Sequence, residues 1–352
     1  LRLGAVGETY VASSRLFIGF GSKVMKDSHA NAPQTSSNGY EPVQVSSHFS
    51  CYHQAEIYGK SKVVKAPWQS FGLAVFAGAF IALAFVFYLT VTTGAGDSAW
   101  GLVRLVGGIA FSLGLILVVI CGGELFTSSV LSSVAWAQKQ VTTSELLKCW
   151  TRVYLGNFVG AMLMVGLIMA AGLYELDGGN WGLNALKVSQ HKLHHTWIQA
   201  FSLGILCNML VCLGIWMTFA SRESLTKAIL LILPVAMFVS SGFEHSIANL
   251  FMVPFGITIQ AVASPEFFAS LGITQEQFAD LTVTNFVFNN LIPVTLGNIV
   301  GGGVIVGLGY WWIEQGQLAL PDPQKSHQAH FFASPLHTEK AKNSQETKSL
   351  RD

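Results

Sequence analysis

Long apolar runs separated by short polar segments predict a chain of membrane-spanning helices. A helix of about 20 apolar residues crosses the hydrocarbon core of a bilayer. Four charge-free runs are long enough for one such crossing each: 68–93, 153–174, 196–221 and 281–313. The last run is the least regular, because Pro293 and several asparagines interrupt its first third.

Two further apolar runs are too long for a single straight crossing. Residues 104–138 and 225–260 would each form a helix of about 50 Å, against a hydrocarbon core of about 30 Å. Each run has a glycine and a glutamate near its middle, in CGGELFTSS (121–129) and SSGFEHSIA (240–248). We therefore expect two helices that are interrupted at mid-membrane, where the freed backbone lines a cavity or is buried in protein.

The chain also contains an internal repeat. LGNFVGAMLMVGL (155–167) aligns with LGNIVGGGVIVGL (296–308), and eight of the thirteen positions are identical. QSFGLAVFAGAF (69–80) and QAFSLGILCNML (199–210) match more weakly at the start of each half. Because each half has three crossings, the second copy must run upside down relative to the first. The predicted fold is an all-α membrane protein of six spans, built from inverted repeats at about 68–175 and 195–313.

The composition agrees with a membrane protein and argues against other classes. Hydrophobic residues make up 51% of the chain and charged residues 11%, whereas a soluble domain has about a quarter charged residues. The formal net charge is +1 and no basic patch is present, so we expect no nucleic-acid partner. The five cysteines have neither a disulfide framework nor a metal-binding spacing, and we expect no disulfide, metal or cofactor.

Both ends of the chain are polar. Residues 1–60 are predicted to be a partly disordered cytoplasmic segment, 61–320 the membrane domain, and 321–352 a loose polar tail. The first residues lack the basic start, apolar core and cleavage site of a signal peptide. The chain opens on Leu1 and its first methionine is Met25, so we expect part of the preceding stretch not to be native.

Lysine and arginine in the short loops predict the orientation, because these residues concentrate on the cytoplasmic side of a membrane. The cations on one side are Lys60, Lys62, Lys65, Lys139, Lys148, Arg152, Arg222 and Lys227. The other side is mainly acidic, with Asp97, Glu175, Asp177, Glu266, Glu276 and Asp280, and its cations are Arg104, Lys187 and Lys192. Both termini are therefore expected to face the cytoplasm.

The two predicted interruptions form the candidate functional site. The second half of a broken helix begins with unpaired backbone N–H groups at the positive end of its dipole, which attracts anions. Two inverted copies would direct two such ends towards one central place. We expect Gly242 to support the second interruption, and the carboxylates of Glu124 and Glu244 to hold both interruptions open by accepting hydrogen bonds from loop backbone.

His245 is the only one of ten histidines that lies inside an apolar run. An ionisable group at membrane depth is usually functional, and an imidazole can gain or lose a proton near neutral pH. Beside a helix interruption it would suit a small weak-acid anion, because ring and anion can share a proton. This sharing avoids a cost of roughly tens of kcal/mol for moving a bare charge into an apolar medium. The alternative is a packed histidine that bonds to a neighbouring carbonyl.

Other residues near the interruptions leave two interpretations open. Thr127 and Ser246 follow the first and the second interruption, where a hydroxyl can cap the half-helix or contact a permeating anion. Phe111 and Phe238 lie at membrane depth, and they either pack in the core or form a hydrophobic gate.

Four segments resemble the formate/nitrite transporter family. They are GELFTSSVL (123–131), HKLHHTWIQA (191–200), GFEHSIANLFMVPFGI (242–257) and NLIPVTLGNIVGGG (290–303). The similarity covers about residues 56–314 and is greatest to the bacterial formate channels of the family. It implies an aquaporin-like fold, without the Asn-Pro-Ala signature, and a homopentamer with one pore per subunit in the bacterial inner membrane.

The resemblance also implies roles for individual residues. His245 is similar to the central pore histidine of the family, and Thr127 to the threonine that pairs with it from the loop of the first broken helix. Lys192 matches a basic residue of the outer vestibule, and Asn208 and Asn298 match polar residues of the pathway. The residues that match gates and constrictions are Leu125 with Phe126, Phe111 with Phe238, and Leu115 with Val211.

The first functional hypothesis is a bidirectional channel or proton-linked transporter for formate. In this hypothesis Lys192 captures the anion, Phe111 and Phe238 remove its water, and His245 shares a proton with it beside Thr127. The expected partners are formate and similar small anions, the lipid bilayer, and further copies of the chain. Nitrite or hydrosulfide is the alternative cargo on the same scaffold.

Two other classes of function remain as hypotheses. An intramembrane enzyme would use Glu244 and His245 as acid, base or metal ligands, but the sequence has no second ligand at metal spacing and no nucleophile elbow. A purely structural membrane scaffold would have no need for paired helix interruptions.

Overall fold

The chain is helical throughout the part that the structure describes. The computed structural model describes residues 47–96 and 98–318, and no β-strand occurs among them. The α-helices are α1 Ser47–Val64, α2 Pro67–Thr92, α3 Trp100–Ile120, α4 Phe126–Ser129, α5 Ser133–Ala137, α6 Thr143–Ala170, α7 Asn180–Leu193, α8 Trp197–Thr218, α9 Ser224–Ser240, α10 Ser246–Val262, α11 Pro265–Ser270, α12 Val283–Asn285, α13 Ile292–Asn298 and α14 Gly309–Leu318. Short 3-10 turns lie at Val130–Ser132, Leu173–Gly179 and Gln275–Phe278, and π-helical segments at Phe286–Leu291 and Ile299–Leu308.

Within this part, five helical stretches are long and apolar enough to cross a membrane. Four of them are α2, α3, α6 and α8, and the fifth runs through Gln275–Gln315. Helices α9 and α10 are apolar but shorter, with 17 residues each, and together they make up the predicted fifth crossing. The all-helical architecture with several spans confirms the predicted fold class.

Both predicted interruptions are confirmed. Residues 121–125 separate α3 from α4, and residues 241–245 separate α9 from α10. Each turn contains a glycine with positive φ, which is 77° at Gly122 and 74° at Gly242. Residues with a Cβ rarely adopt this conformation, so these two glycines allow the first half-helices to end.

The third span starts earlier than its apolar run predicts. Helix α6 begins at Thr143 because Thr142 and Glu145 form a capping box. Thr142 Oγ1 accepts a hydrogen bond from the Glu145 N–H at 3.3 Å, and the Glu145 carboxylate accepts one from the Thr142 N–H at 2.8 Å. The polar first turns of a helix carry no hydrophobic signal, so the cap rather than the apolar pattern marks this start.

Helices α1, α7 and α11 are not predicted by the apolar pattern, since none contains an apolar run of membrane length. Helix α1 lies against the membrane domain: Tyr52 and Ala55 are buried, and the Tyr58 hydroxyl donates to Ser128 Oγ at 3.1 Å. The predicted segment boundary at residue 60 falls within α1. The head before residue 47 and the tail after residue 318 lie outside the described residues.

The two halves of the repeat use the same kind of helix pair. Helix α2 lies against α6, and α8 lies against α13 and the π-helical segment that follows it. A Cβ on Gly160 would lie 2.0 Å from the carbonyl oxygen of Val75, and a Cβ on Gly301 would lie 2.2 Å from that of Ile205. Glycine at these matching repeat positions therefore lets the two backbones approach each other closely, as small residues do in membrane interiors.

Candidate functional site

Two cavities lie next to the two helix interruptions. The Lys192 cavity, of about 220 Å³, is lined among others by Phe111, Lys192, Phe238, Gly242, Glu244 and His245. The Lys62 cavity, of about 240 Å³, is lined among others by Lys62, Lys65, Val118, Gly122, Glu124 and Thr218. Each cavity thus has the glycine and the glutamate of one interruption beside at least one lysine.

An apolar barrier separates the two cavities. On α3, Phe111 lines the Lys192 cavity, and Val118, about 10 Å further along the helix, lines the Lys62 cavity. Leu115 lies between them on the same face of α3 and is 4% exposed. Val211 on α8 is 1% exposed. Leu115 and Val211, which are predicted to form a constriction, are thus both buried apolar side chains.

The two interruptions meet at a hydrogen bond between His245 and Thr127. His245 Nε2 lies 2.8 Å from Thr127 Oγ1, and both side chains are buried. His245 is also the N-cap of α10, because its Nδ1 accepts a hydrogen bond from the Ala248 N–H at 3.0 Å. In the neutral ring the proton is therefore on Nε2, which donates to the Thr127 hydroxyl. The Phe238 ring stacks on the imidazole, with ring centroids 6.0 Å apart.

The hydroxyl groups after the interruptions do not cap the half-helices. Thr127 Oγ1 bonds to His245, and α4, the half-helix that follows the first interruption, has no side-chain cap. Ser246 Oγ is buried and has no hydrogen-bond partner among the described residues. The Thr127 hydroxyl therefore contacts His245 and does not cap its half-helix, and His245 performs the capping at the second interruption.

Two asparagines fasten the interruptions to the neighbouring helices. Asn157 Nδ2 donates to the carbonyl oxygens of Ala74 and Glu124, both at 2.8 Å, and Asn157 Oδ1 accepts from the Phe126 N–H at 2.9 Å. Asn298 occupies the matching position of the second repeat and makes the same three bonds. Its partners are the Gly204 carbonyl at 2.8 Å, the Glu244 carbonyl at 3.0 Å and the Ser246 N–H at 2.9 Å.

Asn208 and Asn298, which are predicted to contribute to the pathway, are both fully buried. The Asn298 side chain is engaged with the backbone of the second interruption. Asn208 Nδ2 donates to the carbonyl oxygens of Thr127 and Asn298, at 3.0 and 2.6 Å. Asn208 Oδ1 is buried without a partner among the described residues, so it is the available acceptor beside the His245–Thr127 pair.

Glu244 is bonded to side chains rather than to loop backbone. Its Oε1 accepts a hydrogen bond from Lys192 Nζ at 3.0 Å. Its Oε2 accepts from the side-chain amides of Asn249 and Asn290, at 2.6 and 3.1 Å. A buried carboxylate is stable only when a paired charge and hydrogen bonds offset its desolvation, and a few loop N–H groups would not supply that charge.

Glu124 has the equivalent arrangement at the other interruption. Its Oε2 lies 2.8 Å from Lys62 Nζ, and its Oε1 accepts a hydrogen bond from Lys65. The expected loop backbone bonds go elsewhere: the Glu124 N–H donates to the Leu73 carbonyl at 3.1 Å. The partners of both glutamates thus differ from the expectation, because the loop N–H groups already donate to backbone carbonyls, either of the preceding half-helix or of the neighbouring helices α2 and α8.

The Lys192 cavity contains further basic groups. Arg104, Lys187 and His191 belong to its lining. Partial burial, together with the neighbouring His195 and Lys192, lowers the pKa of the His191 imidazole, which is therefore neutral at neutral pH. The fixed positive charges of this cavity are thus the guanidinium and the two ammonium groups.

Leu125 and Phe126, the predicted gate pair, stand at the start of the second half of the first broken helix. Leu125 is fully buried. The Phe126 ring packs edge to face against Tyr154, with centroids 4.9 Å apart, and against Trp150 at 6.4 Å. The Phe126 ring therefore ties the first interruption to α6.

Metal chemistry has no support in the described part of the chain. No three histidine, cysteine, aspartate or glutamate side chains lie close enough together there to hold a metal ion. The five cysteines are free thiols, and Cys207 and Cys212 are buried on α8.

Sequence reasoning missed Asn157 and the contribution of Lys62 and Lys65. The signal for Asn157 was present, because the repeat aligns it with Asn298. No comparable signal exists for the two lysines, since they reach Glu124 only because α1 and the residues after it pack against the first interruption.

Comparison with known proteins identifies the family. A sequence model described as formate/nitrite transporter matches residues 50–312. The chain belongs to the formate/nitrite transporter family. As a member of this family it is a multi-pass membrane protein that acts in transport and not as an enzyme. The hypothesis of an intramembrane enzyme built on Glu244 and His245 is therefore wrong.

Individual relatives within the formate/nitrite transporter family are similar over most of their length. The formate channel FocA of Escherichia coli (strain K12) is 55% identical over 259 residues, which are 74% of this chain and 91% of the relative. The formate channel FocA of Haemophilus influenzae is 48% identical over 254 residues, which are 72% of this chain and 89% of the relative.

Two solved structures have the same fold. A pentameric formate channel with formate bound is 58% identical and superposes with a TM-score of 0.69, over 71% of this chain and 98% of that chain. An FNT family ion channel is 26% identical, with a TM-score of 0.61 over 76% of this chain and 98% of that chain.

Proposed function

We propose that the protein is a bidirectional formate channel or proton-linked transporter of the bacterial inner membrane. The observation that carries the proposal is the buried His245–Thr127 hydrogen bond of 2.8 Å, which lies where the two interrupted helices meet and where an apolar barrier separates two charged cavities. Two relatives of high identity that are named formate channels support formate as the cargo.

The permeating anion passes through the apolar barrier from one cavity to the other. The cations of the Lys192 cavity attract it, and it loses water between the rings of Phe111 and Phe238, whose centroids are 6.1 Å apart. Leu115 and Val211 form the second constriction. A dry, narrow passage of this kind excludes free ions, because no water remains to solvate a charge.

A movement of the first interruption opens the barrier. In this proposal Leu125 and Phe126 form the gate, because they connect the turn that carries Thr127 to the packed surface of α6. The supports of the interruptions, Gly242, Glu124, Glu244 and Asn298, keep the remaining backbone in place while the gate moves.

His245 then shares a proton with the anion. In the resting state the ring is neutral, donates from Nε2 and accepts from the Ala248 N–H at Nδ1. When an anion arrives, ring and anion together take up one proton, which binds Nδ1 and displaces the Ala248 hydrogen bond. The Nε2 proton is then shared with the carboxylate, which the Thr127 hydroxyl holds in position by donating a hydrogen bond to it. Asn208 Oδ1 accepts the O–H of the acid once the proton lies on the anion. The pair is close to neutral, so it crosses the apolar region at a lower cost than the bare anion.

Nitrite and hydrosulfide are the alternative cargoes on this scaffold. Both share with formate a small size, a single negative charge and a weak conjugate acid. Formate is preferred because both relatives compared above are named for it.

We further propose a homopentamer with one passage per subunit and both termini in the cytoplasm. The solved relative that is described as a pentamer supports the assembly. The basic residues predicted for the cytoplasmic side include Lys62 and Lys65, so the Lys62 cavity faces the cytoplasm and the Lys192 cavity faces outward. Residues 1–60 and 321–352 are then cytoplasmic segments on either side of a membrane domain at 61–320.

A flux competition in vesicles tests the proposed function. Purified protein is reconstituted into liposomes, and influx and efflux are measured for formate, nitrite, hydrosulfide and acetate, alone and in competition. We expect formate to move in both directions and to be reduced most strongly by nitrite. A wild-type protein that transports none of these anions above empty vesicles would contradict the proposal.

A further inference from the structure

The positive charge that an anion meets in the Lys192 cavity does not come mainly from Lys192. The Lys192 ammonium is bonded to the Glu244 carboxylate at 3.0 Å, so most of its charge is compensated. Arg104 and Lys187 line the same cavity, and no carboxylate among the described residues lies within ion-pair distance of either. The uncompensated cations of this cavity are therefore a guanidinium and an exposed ammonium.

The guanidinium of Arg104 is held in a fixed orientation. Its Nε donates a hydrogen bond of 2.8 Å to the carbonyl oxygen of Ser240, the last residue of α9, and the Ser240 hydroxyl donates back to the Arg104 carbonyl at 2.9 Å. One face of the guanidinium lies over the Trp100 ring, 5.5 Å from its centroid. The Nε edge and one face of the group are thus already used, while the Nη groups have no hydrogen-bond partner among the described residues.

Gly242 provides the space for this group. A Cβ at this position would lie 2.9 Å from Arg104 Nη2, so any larger residue would displace the guanidinium. Gly242 therefore has a second use besides its positive φ: it brings the Nη groups next to the turn that leads to Glu244 and His245. An anion held at Arg104 would lie at the outer end of the route to the imidazole.

We propose that Arg104 is the anion-binding residue of the outer mouth and that it selects planar anions with two oxygen atoms. A guanidinium forms two parallel hydrogen bonds with a carboxylate or nitrite, whereas an ammonium acts as a point charge. Hydrosulfide offers a single atom and gains nothing from the second donor. This inference rests on the proposed function, and it assigns capture to Arg104 in place of Lys192.

Influx kinetics of four proteins test the inference: the wild type, Arg104→Lys, Arg104→Gln and the matched control Lys187→Gln. Initial rates in liposomes are measured against concentration for formate and for hydrosulfide. Arg104→Lys keeps the charge and removes the second donor, so we expect the half-saturation concentration for formate to rise roughly threefold and that for hydrosulfide to stay unchanged. Arg104→Gln also removes the charge, and we expect a rise of about fivefold for formate and about twofold for hydrosulfide. Lys187→Gln should change both anions equally.

Two results of these measurements would overturn the inference. It is wrong if Arg104→Lys behaves as the wild type towards both anions, or if Lys187→Gln alters the ratio between the anions as strongly as Arg104→Lys does. Size-exclusion profiles and melting curves show whether the variants are intact, and Arg104→Lys decides the matter if Arg104→Gln does not fold. A wild type that transports neither formate nor hydrosulfide would overturn the proposed function and this inference together, whereas an active wild type with unaltered variants overturns this inference alone.

Discussion

At the scale of single residues, the His245 ring combines a structural role with the chemical role that we propose for it. Its Nδ1 caps α10 through the Ala248 N–H, and its Nε2 bonds to Thr127 across the junction of the two repeats. The N-cap bond to Ala248 fixes the position of the imidazole, so the same contact that begins α10 also orients Nε2 towards Thr127. Substitutions at this position therefore have to separate the two roles.

The first prediction concerns the His245→Phe variant. Phenylalanine has no group that can take up a proton or donate to Thr127, so we expect proton-linked formate import to fall to the background of empty vesicles. In the wild type, import should rise as the external pH falls, because protons are consumed with the anion. Formate flux into liposomes at acid and at neutral pH measures both effects. An unchanged pH profile in His245→Phe would count decisively against proton sharing.

His245→Asn is the matched variant for the structural role. Asparagine is a good N-cap residue and can accept the Ala248 N–H, but it does not titrate near neutral pH. We expect His245→Asn to lose the pH dependence of import as His245→Phe does, and to keep a melting temperature closer to that of the wild type.

The second prediction concerns Asn298, whose side chain bonds to the backbone of the second interruption. Asn298→Ala removes three hydrogen bonds and leaves the Glu244 carbonyl and the Ser246 N–H without partners inside the membrane domain. We expect a loss of about 2–4 kcal/mol of stability, because buried polar groups are then unsatisfied. Thermal unfolding in detergent measures the loss. The control is Asn289→Ala, an exposed site with one long contact of 3.4 Å, which should leave the melting temperature unchanged.

At the scale of helices, the interruptions depend on close helix pairs that hold each half-helix from the side. The approach of α8 to Gly301 and of α2 to Gly160 leaves no room for a side chain. These contacts bring the side chains of Asn298 and Asn157 within hydrogen-bond distance of the loops. Packing of the straight helices and the shape of the broken helices are therefore coupled.

The third prediction tests this coupling with Gly301→Ala. A methyl group at this position would lie 2.2 Å from the Ile205 carbonyl oxygen, so the helices must separate. We expect a destabilisation of about 2–3 kcal/mol and a reduced formate flux in the protein that remains folded. Melting curves and vesicle flux provide the two measurements.

Gly166→Ala is the control for this prediction. No atom lies within 4 Å of a Cβ at Gly166, which is exposed on α6. Alanine in the interior of a helix is about 0.5–1 kcal/mol more favourable than glycine, so the control should be neutral or slightly stabilising. Equal losses in both variants would show that a general defect of glycine substitution, rather than close packing, is responsible.

The elements differ in how well the apolar pattern predicts them. The interruptions near Gly122 and Gly242 were predictable, because an apolar run of roughly 35 residues cannot remain one straight helix in a bilayer. Helices α1 and α7 were not predictable in this way, since their burial comes from contacts with other elements. The start of α6 at Thr143 lies in a polar stretch, where a cap and not hydrophobicity sets the boundary.

At the scale of the whole molecule, the inverted repeat gives both faces of the membrane a similar arrangement. Each cavity is lined by the glycine of one interruption and by a buried glutamate that is paired with lysine. Glu124 in the Lys62 cavity pairs with two lysines, and Glu244 in the Lys192 cavity pairs with one. This arrangement agrees with the proposed movement of anions in both directions, since neither face lacks a charged cavity. The differences lie in the cations that remain unpaired, such as Arg104.

The fourth prediction concerns the assembly. We expect purified protein in mild detergent to have the mass of five chains, because the solved relative is a pentamer and the outer surface exposes many large apolar side chains. Native mass spectrometry measures the number of chains directly. A monomer that transports formate would contradict the proposed assembly but would leave the proposed site intact.

The sequence by itself determined the membrane class, the inverted repeat, both interruptions and the single intramembrane histidine. It could do so because hydrophobic length, glycine and repeated motifs are properties of the chain that require no knowledge of distant contacts. The family resemblance implied Thr127 as the partner of His245, but only the tertiary structure decided the other partners: lysines for the two glutamates, and the side chains of Asn157 and Asn298 for the loops. These contacts join residues that are distant in the chain, and a buried polar group finds its partner only after the helices have packed.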